Sequence, residues 1–129
     1  MSNKLTIIAA DPTHFVVTLE QFEKALAHWG PQAQLLARSA SDADPSDAAI
    51  QVERPDEKPF QIFHVRSGAF LYTDGNPNQA AEVAVWAVNS FPMAGPGELW
   101  LVDQAYSGHS VLRPGMSAAE VLPGWQQHT

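Results

Sequence analysis

Hydrophobic and polar positions follow two different rhythms along this chain, and the switches between them mark its elements. Leu5-Thr6-Ile7-Ile8-Ala9 is apolar and β-branched until Asp11-Pro12 stops it, which predicts a short first strand or an extended lead-in. Leu19, Phe22, Leu26 and Trp29 then recur at helical spacing. Thr18 and Gln21 stand ahead of them at capping-box spacing, and Gly30-Pro31 supplies a left-handed stop, so an amphipathic helix is predicted over 19–29. Ala33 to Arg38 reads as a strand, and Ser39 to Asp47, with no large apolar residue, as an exposed loop. Ile50 and Val52 belong to a strand that ends in the polar turn Pro55-Asp56-Glu57-Lys58-Pro59. Phe60 to Arg66 and Ala69 to Thr73 are β in composition and meet at Ser67-Gly68. Connections this short leave no room for crossover helices, so antiparallel hairpins are expected.

The rhythm returns to helical at Asn76-Pro77-Asn78-Gln79, with Asn as cap, Pro at the first helical position and Gln at the third. This helix is predicted to run to about Phe91, before Pro92. Glu82 is its one ionisable residue and apolar side chains surround nearly the whole circumference, so it is expected to be buried or covered by a partner. Glu98 to Asp103 reads as a strand, Tyr106 to His109 as a turn and Ser110 to Leu112 as a last strand. Ser117-Ala118-Ala119-Glu120 opens a short helix closed by Pro123-Gly124, and residues 125–129 are expected to be loosely held. The fold class that follows is α+β: a mainly antiparallel sheet of about five to six strands with two principal helices on one face.

Composition narrows the functional classes. A chain of 129 residues is the size of one domain, and 45% hydrophobic against 16% charged residues excludes disorder of the whole. The apolar runs are far shorter than the ~20 residues that span a bilayer. MSNKLTIIAA meets Asp11-Pro12 before a secretory apolar region develops, so a cytoplasmic protein is expected. The absence of cysteine removes disulfides, thiolate nucleophiles and thiolate metal sites together. Fourteen carboxylates against seven Lys and Arg give a formal charge of −7, and the scattered bases offer no footprint for nucleic acid.

Candidate chemistry concentrates in Asp103-Gln104-Ala105-Tyr106-Ser107-Gly108-His109, where a strand end presents a carboxylate, a phenol, a hydroxyl and an imidazole. A nucleophilic triad needs a base touching the nucleophile, and Ser107 lacks the strained elbow that would expose it. The competing reading is a turn in which Asp103 and Ser107 bond to backbone amides. The five histidines show neither i, i+4 pairing nor a carboxylate at motif spacing, so no metal and no cofactor are expected. His64, alternating with Phe60 and Ile62, reads as a satisfied histidine on the sheet. Gly95-Pro96-Gly97 is no phosphate loop, because Pro96 removes an amide donor.

Asp42, Asp44, Asp47, Glu53, Asp56 and Glu57 crowd a short span that contains one base, Arg54. Such a segment either keeps a protein soluble or steers a basic partner.

From Ala80 onward the runs AAEVAVWAVNSFP and ELWLVDQAYSGHSVLRPGMSAAEVLPGW resemble the C-terminal half of small, largely uncharacterised bacterial proteins, some of which are similar to immunity proteins of polymorphic toxin systems. The resemblance covers under half of the chain and rests on pattern: a Trp-bearing helix ended by Pro, a strand ending Asp-x-x-Tyr-Ser, and Leu-x-Pro-Gly before Ala-Ala-Glu. It implies a compact acidic domain that binds one partner protein, such as a basic toxin domain, and it transfers no individual residue. The expectation is therefore a non-enzymatic binding protein of immunity or inhibitor type, with Asp42, Asp44, Asp47, Asp56, Glu57, Asp103, Tyr106 and His109 as binding residues. The alternatives are a small enzyme or ligand-binding module built on the Asp103-Tyr106-His109 turn, and a homo-oligomer formed through the second helix.

Overall fold

The strand that opens the chain lies inside the sheet, and this placement organises the rest. The computed structural model describes residues 4–37, 45–93 and 95–128. In chain order the regular elements are β1 (Leu5–Ala9), α1 (Leu19–Ala25), β2 (Ala33–Ala37), β3 (Ser46–Val52), β4 (Phe60–Val65), β5 (Phe70–Thr73), α2 (Pro77–Ser90), β6 (Leu99–Asp103), β7 (Gly108–Leu112) and β8 (Gln126–Gln127). The sheet order is β2-β3-β4-β5-β1-β6-β7-β8, and every neighbouring pair is antiparallel. Strands β5 and β6 both flank β1, so they run in the same direction. Joining them requires a crossover, which α2 supplies.

Eight strands replace the five to six expected. One added strand, β8, has no apolar pattern by which to recognise it. It forms because two 3₁₀ turns, Ala118–Glu120 and Leu122–Gly124, return the chain alongside β7, where His109 faces Gln126. The expectation that residues 125–129 are loosely held is thereby corrected for 125–128. Gly108 lets this strand approach: a Cβ there would collide with the Trp125 indole and the Gln126 carbonyl. The loop expected over 39–47 is corrected at its end too, since Ser46 is buried and Asp47 belongs to β3.

Three capping boxes form as the spacing predicts, at Thr18/Gln21, Asn76/Gln79 and Ser117/Glu120. The first helix is α-helical only to Ala25 and continues as 3₁₀ over Leu26–Gln32, broken by Gly30 at φ 71. The Trp86 indole N–H donates to the Ala25 carbonyl at 3.1 Å, satisfying one of the carbonyls a helix end leaves unpaired.

The principal core lies between the helices and one sheet face. Ile7, Ile50, Ile62, Leu71 and Leu101 meet Phe22 of α1 and Ala84, Trp86 and Ala87 of α2. Trp86 is 2% exposed and edge-on to Phe22, Trp29 and Phe91. Ala118, Val121 and Leu122 join the same core, and the turns that carry them pack against α2. The opposite face carries a smaller cluster of Ala49, Phe63, Val65 and Tyr72. No helix among the described residues is long and apolar enough to cross a membrane.

Candidate functional site

The strand registers gather several polar loops at one end of the sheet. Leu5 stands opposite Thr73 on β5 and Asp103 on β6, so the β5–α2 connection and the β6–β7 turn flank the start of β1. Val52 stands opposite both Ala33 and Phe60, which places the turn over 53–59 at that end as well. Between these loops opens a cleft of about 400 Å³, whose lining includes Leu5, Lys58, Asp74, Asn76 and Asp103. Asp74 Oδ1 accepts the Gln61 amide at 2.8 Å, and the Gln79 side-chain amide donates to the Lys58 carbonyl at 2.9 Å.

Asp103 closes the β6–β7 turn. Its Oδ1 accepts the Ser107 backbone N–H at 2.7 Å and its Oδ2 accepts the Ser107 hydroxyl. The Ser107 hydroxyl, ahead of the backbone amides, holds the Asp103 carboxyl below the usual aspartate range, against a smaller opposing effect of burial. Tyr106 donates its backbone N–H to the Asp103 carbonyl at 3.1 Å and adopts φ 54, a left-handed conformation rare for a bulky residue. Its side chain is left 56% exposed.

His109 belongs to β7 and not to the turn expected over 106–109, whose path is closed instead by the Asp103–Ser107 bonds. Its ring stacks on Trp100 at a centroid distance of 4.2 Å, and its Nδ1 lies 2.7 Å from Nε2 of His128. Asp103, Tyr106 and His109 therefore point to three different surroundings: the cleft, solvent and the face of Trp100. Ser107 is partnered by a carboxylate and not by an imidazole, so the contact between nucleophile and base that acyl transfer requires does not form here.

The acidic candidates separate in the same way. Asp42 and Asp44 lie outside the described residues. Asp47 is no loop residue: its Oδ1 sits 2.6 Å from Nδ1 of His64, whose Nε2 is 2.6 Å from the Val17 carbonyl. The His64 ring is 2% exposed and contacts Phe22, so Asp47 partners a core histidine, which is satisfied as its alternation on the strand suggests. Val17 is clamped from its other side, donating its N–H to Gly68 at 2.8 Å; Gly68 has φ 72, and a Cβ there would meet the Val17 carbonyl at 2.6 Å. Asp56 is exposed in the 53–59 turn at φ 64. Glu57 pairs with Arg54 at 2.8 Å.

Arg54 is the hub of that turn. It donates to both carboxylate oxygens of Glu82 on α2, at 2.8 and 3.0 Å, and lies over the Phe60 ring. The Glu82 hydrogen bonds raise its already high pKa further. The single charge on α2 thus ties the helix to the β3–β4 turn.

Sequence reasoning missed His128, Trp100, Asp74 and the Arg54–Glu82 pair. Asp74-Gly75 carries a strand-ending signal that hides its place in the cleft. His128 carries no signal, because only the return of β8 brings it to His109. No family model, curated protein or solved structure matches this chain.

Proposed function

We propose that this chain is a non-enzymatic protein-binding domain of immunity or inhibitor type, which caps a basic partner with the end of the sheet that carries Asp56, Glu57, Asp74, Asp103 and Tyr106. The observation that carries the reading is Tyr106. A large amphipathic ring held in a left-handed backbone conformation, 56% exposed on the turn that follows Asp103, has the character of a binding anchor. The backbone conformation costs of order 1–3 kcal/mol, and such costs collect where function needs them. The hydroxyl, imidazole and carboxylates of the turn share no concave centre, which favours binding over catalysis.

The second reading, a ligand-binding module, draws on the cleft itself, whose volume of about 400 Å³ falls in the small-molecule range. The two separate in one experiment: the product of the gene immediately upstream is passed over the immobilised chain and over its Tyr106→Ala variant. Capture is expected, and the substitution is expected to weaken it by roughly ten- to thirtyfold, as loss of an aromatic anchor does. Equal capture by the two proteins removes Tyr106 from the interface; no capture favours the module.

A further inference from the structure

The pairing of His109 with His128 has no part in the reading above. His128 is fixed from two sides: its backbone N–H donates to the Ser107 carbonyl at 2.7 Å, and its Nδ1 lies 2.9 Å from the Tyr106 carbonyl. A carbonyl oxygen only accepts, so Nδ1 of His128 carries the hydrogen, and in the neutral ring Nε2 keeps its lone pair. That lone pair faces Nδ1 of His109 at 2.7 Å, so His109 is the donor between the rings. Two imidazole nitrogens are thus held around one hydrogen, and one ring has its tautomer fixed by a backbone carbonyl. The same outer bond orients histidines that ligate metals.

We propose that His109 Nδ1 and His128 Nε2 form a bidentate site for a divalent ion that prefers square-planar nitrogen ligands, Cu2+ above all. The ion takes the place of the shared hydrogen, which moves to Nε2 of His109 as that ring changes tautomer, so a neutral pair releases no net proton. At a metal–nitrogen length of about 2.05 Å, two ligands at a right angle stand about 2.9 Å apart and two at the tetrahedral angle about 3.3 Å apart. The observed 2.7 Å is closer to the right-angle separation, and binding requires His109 to turn so that both lone pairs converge on the ion beside the line that joins them. Both rings lie at the surface, half-buried for His109 and exposed for His128. The formal charge of −7 favours a cation. Among the described residues no group of three or more histidines and carboxylates converges, so the remaining positions fall to water and the ion exchanges readily.

Trp100, stacked on His109, reports binding directly, because a paramagnetic ion in contact with that imidazole quenches indole fluorescence. The test titrates Cu2+ into the untagged full chain. Quenching is expected to saturate at one equivalent, with electron paramagnetic resonance showing two nitrogen ligands. His109→Gln and His128→Gln are each expected to weaken binding at least tenfold, and His28→Gln, on the remote 3₁₀ segment, is expected to leave it unchanged. Retained near-ultraviolet dichroism shows that the variants still fold. Should a variant lose it, the nitrogen count in the native chain still decides. Quenching that never saturates, a signal with other than two nitrogens, or a titration indifferent to His128→Gln overturns the site.

Discussion

Asp103 shows how one side chain can hold a turn and make it sensitive to acid. Its carboxylate accepts two bonds from Ser107, and the hydroxyl bond is the larger cause of its lowered pKa. A folded-state pKa below the ordinary 3.8 means that ionised Asp103 stabilises the fold. This contribution is complete above the ordinary value and is lost as pH falls through the lowered one. The β6–β7 turn is therefore expected to be intact at pH 5 and to loosen only below about pH 4. Ser107→Ala removes the leading cause, so the Asp103 carboxyl should titrate at higher pH, closer to an ordinary aspartate. Carbon NMR of the side-chain carboxyl follows this directly, and an unchanged titration in Ser107→Ala would show that the hydroxyl is not the cause.

At the scale of elements, α2 shows what can be read from a sequence and what cannot. Its Asn76 cap, its Pro77 start and an end at about Phe91, before Pro92, follow from local chemistry alone; the helix is found over Pro77–Ser90, with Phe91 as its C-cap. The apolar circumference correctly indicates burial, but what covers it is invisible to local pattern. The covering comes from α1 and its 3₁₀ extension, from the sheet and from turns more than twenty-five residues onward in the chain. Trp86 stands at this junction, with three aromatic neighbours and a bond to the Ala25 carbonyl. Trp86→Ala should cost roughly 3–5 kcal/mol, read as a lowered chemical-denaturation midpoint. A midpoint left in place would remove α2 from the core. The same limit explains the sites. The turn that Asp103 and Ser107 close is legible because it is local. The placement of Asp47 in a loop is corrected because its partner His64 lies on the neighbouring strand, seventeen residues away in sequence, and His128 carries no signal because a two-residue strand has no periodicity.

For the whole molecule, the placement of charge matters more than its total. Of the acidic span between Asp42 and Glu57, Asp47 is committed to His64, whereas Asp56 and Glu57, the latter paired with Arg54, stand at the same end of the sheet as Asp74 and Asp103. Asp56→Asn with Glu57→Gln changes the formal charge from −7 to −5, leaving most of the overall field in place while removing two charges from the proposed interface. If that end steers a basic partner, association should slow several-fold at low salt and lose part of its salt dependence, because exposed charges attract over about the Debye length, roughly 8 Å at physiological ionic strength. Dissociation should change less, since rim charges act mainly on encounter. Glu57→Gln gives up the exposed ion pair with Arg54, but Arg54 keeps Glu82, so stability should fall by no more than about 1 kcal/mol. Slower binding could then not be attributed to unfolding. Stopped-flow association at low and high salt provides the comparison. An on-rate that ignores both salt and the two substitutions would leave these carboxylates as solubility features and move the interface away from this end of the sheet.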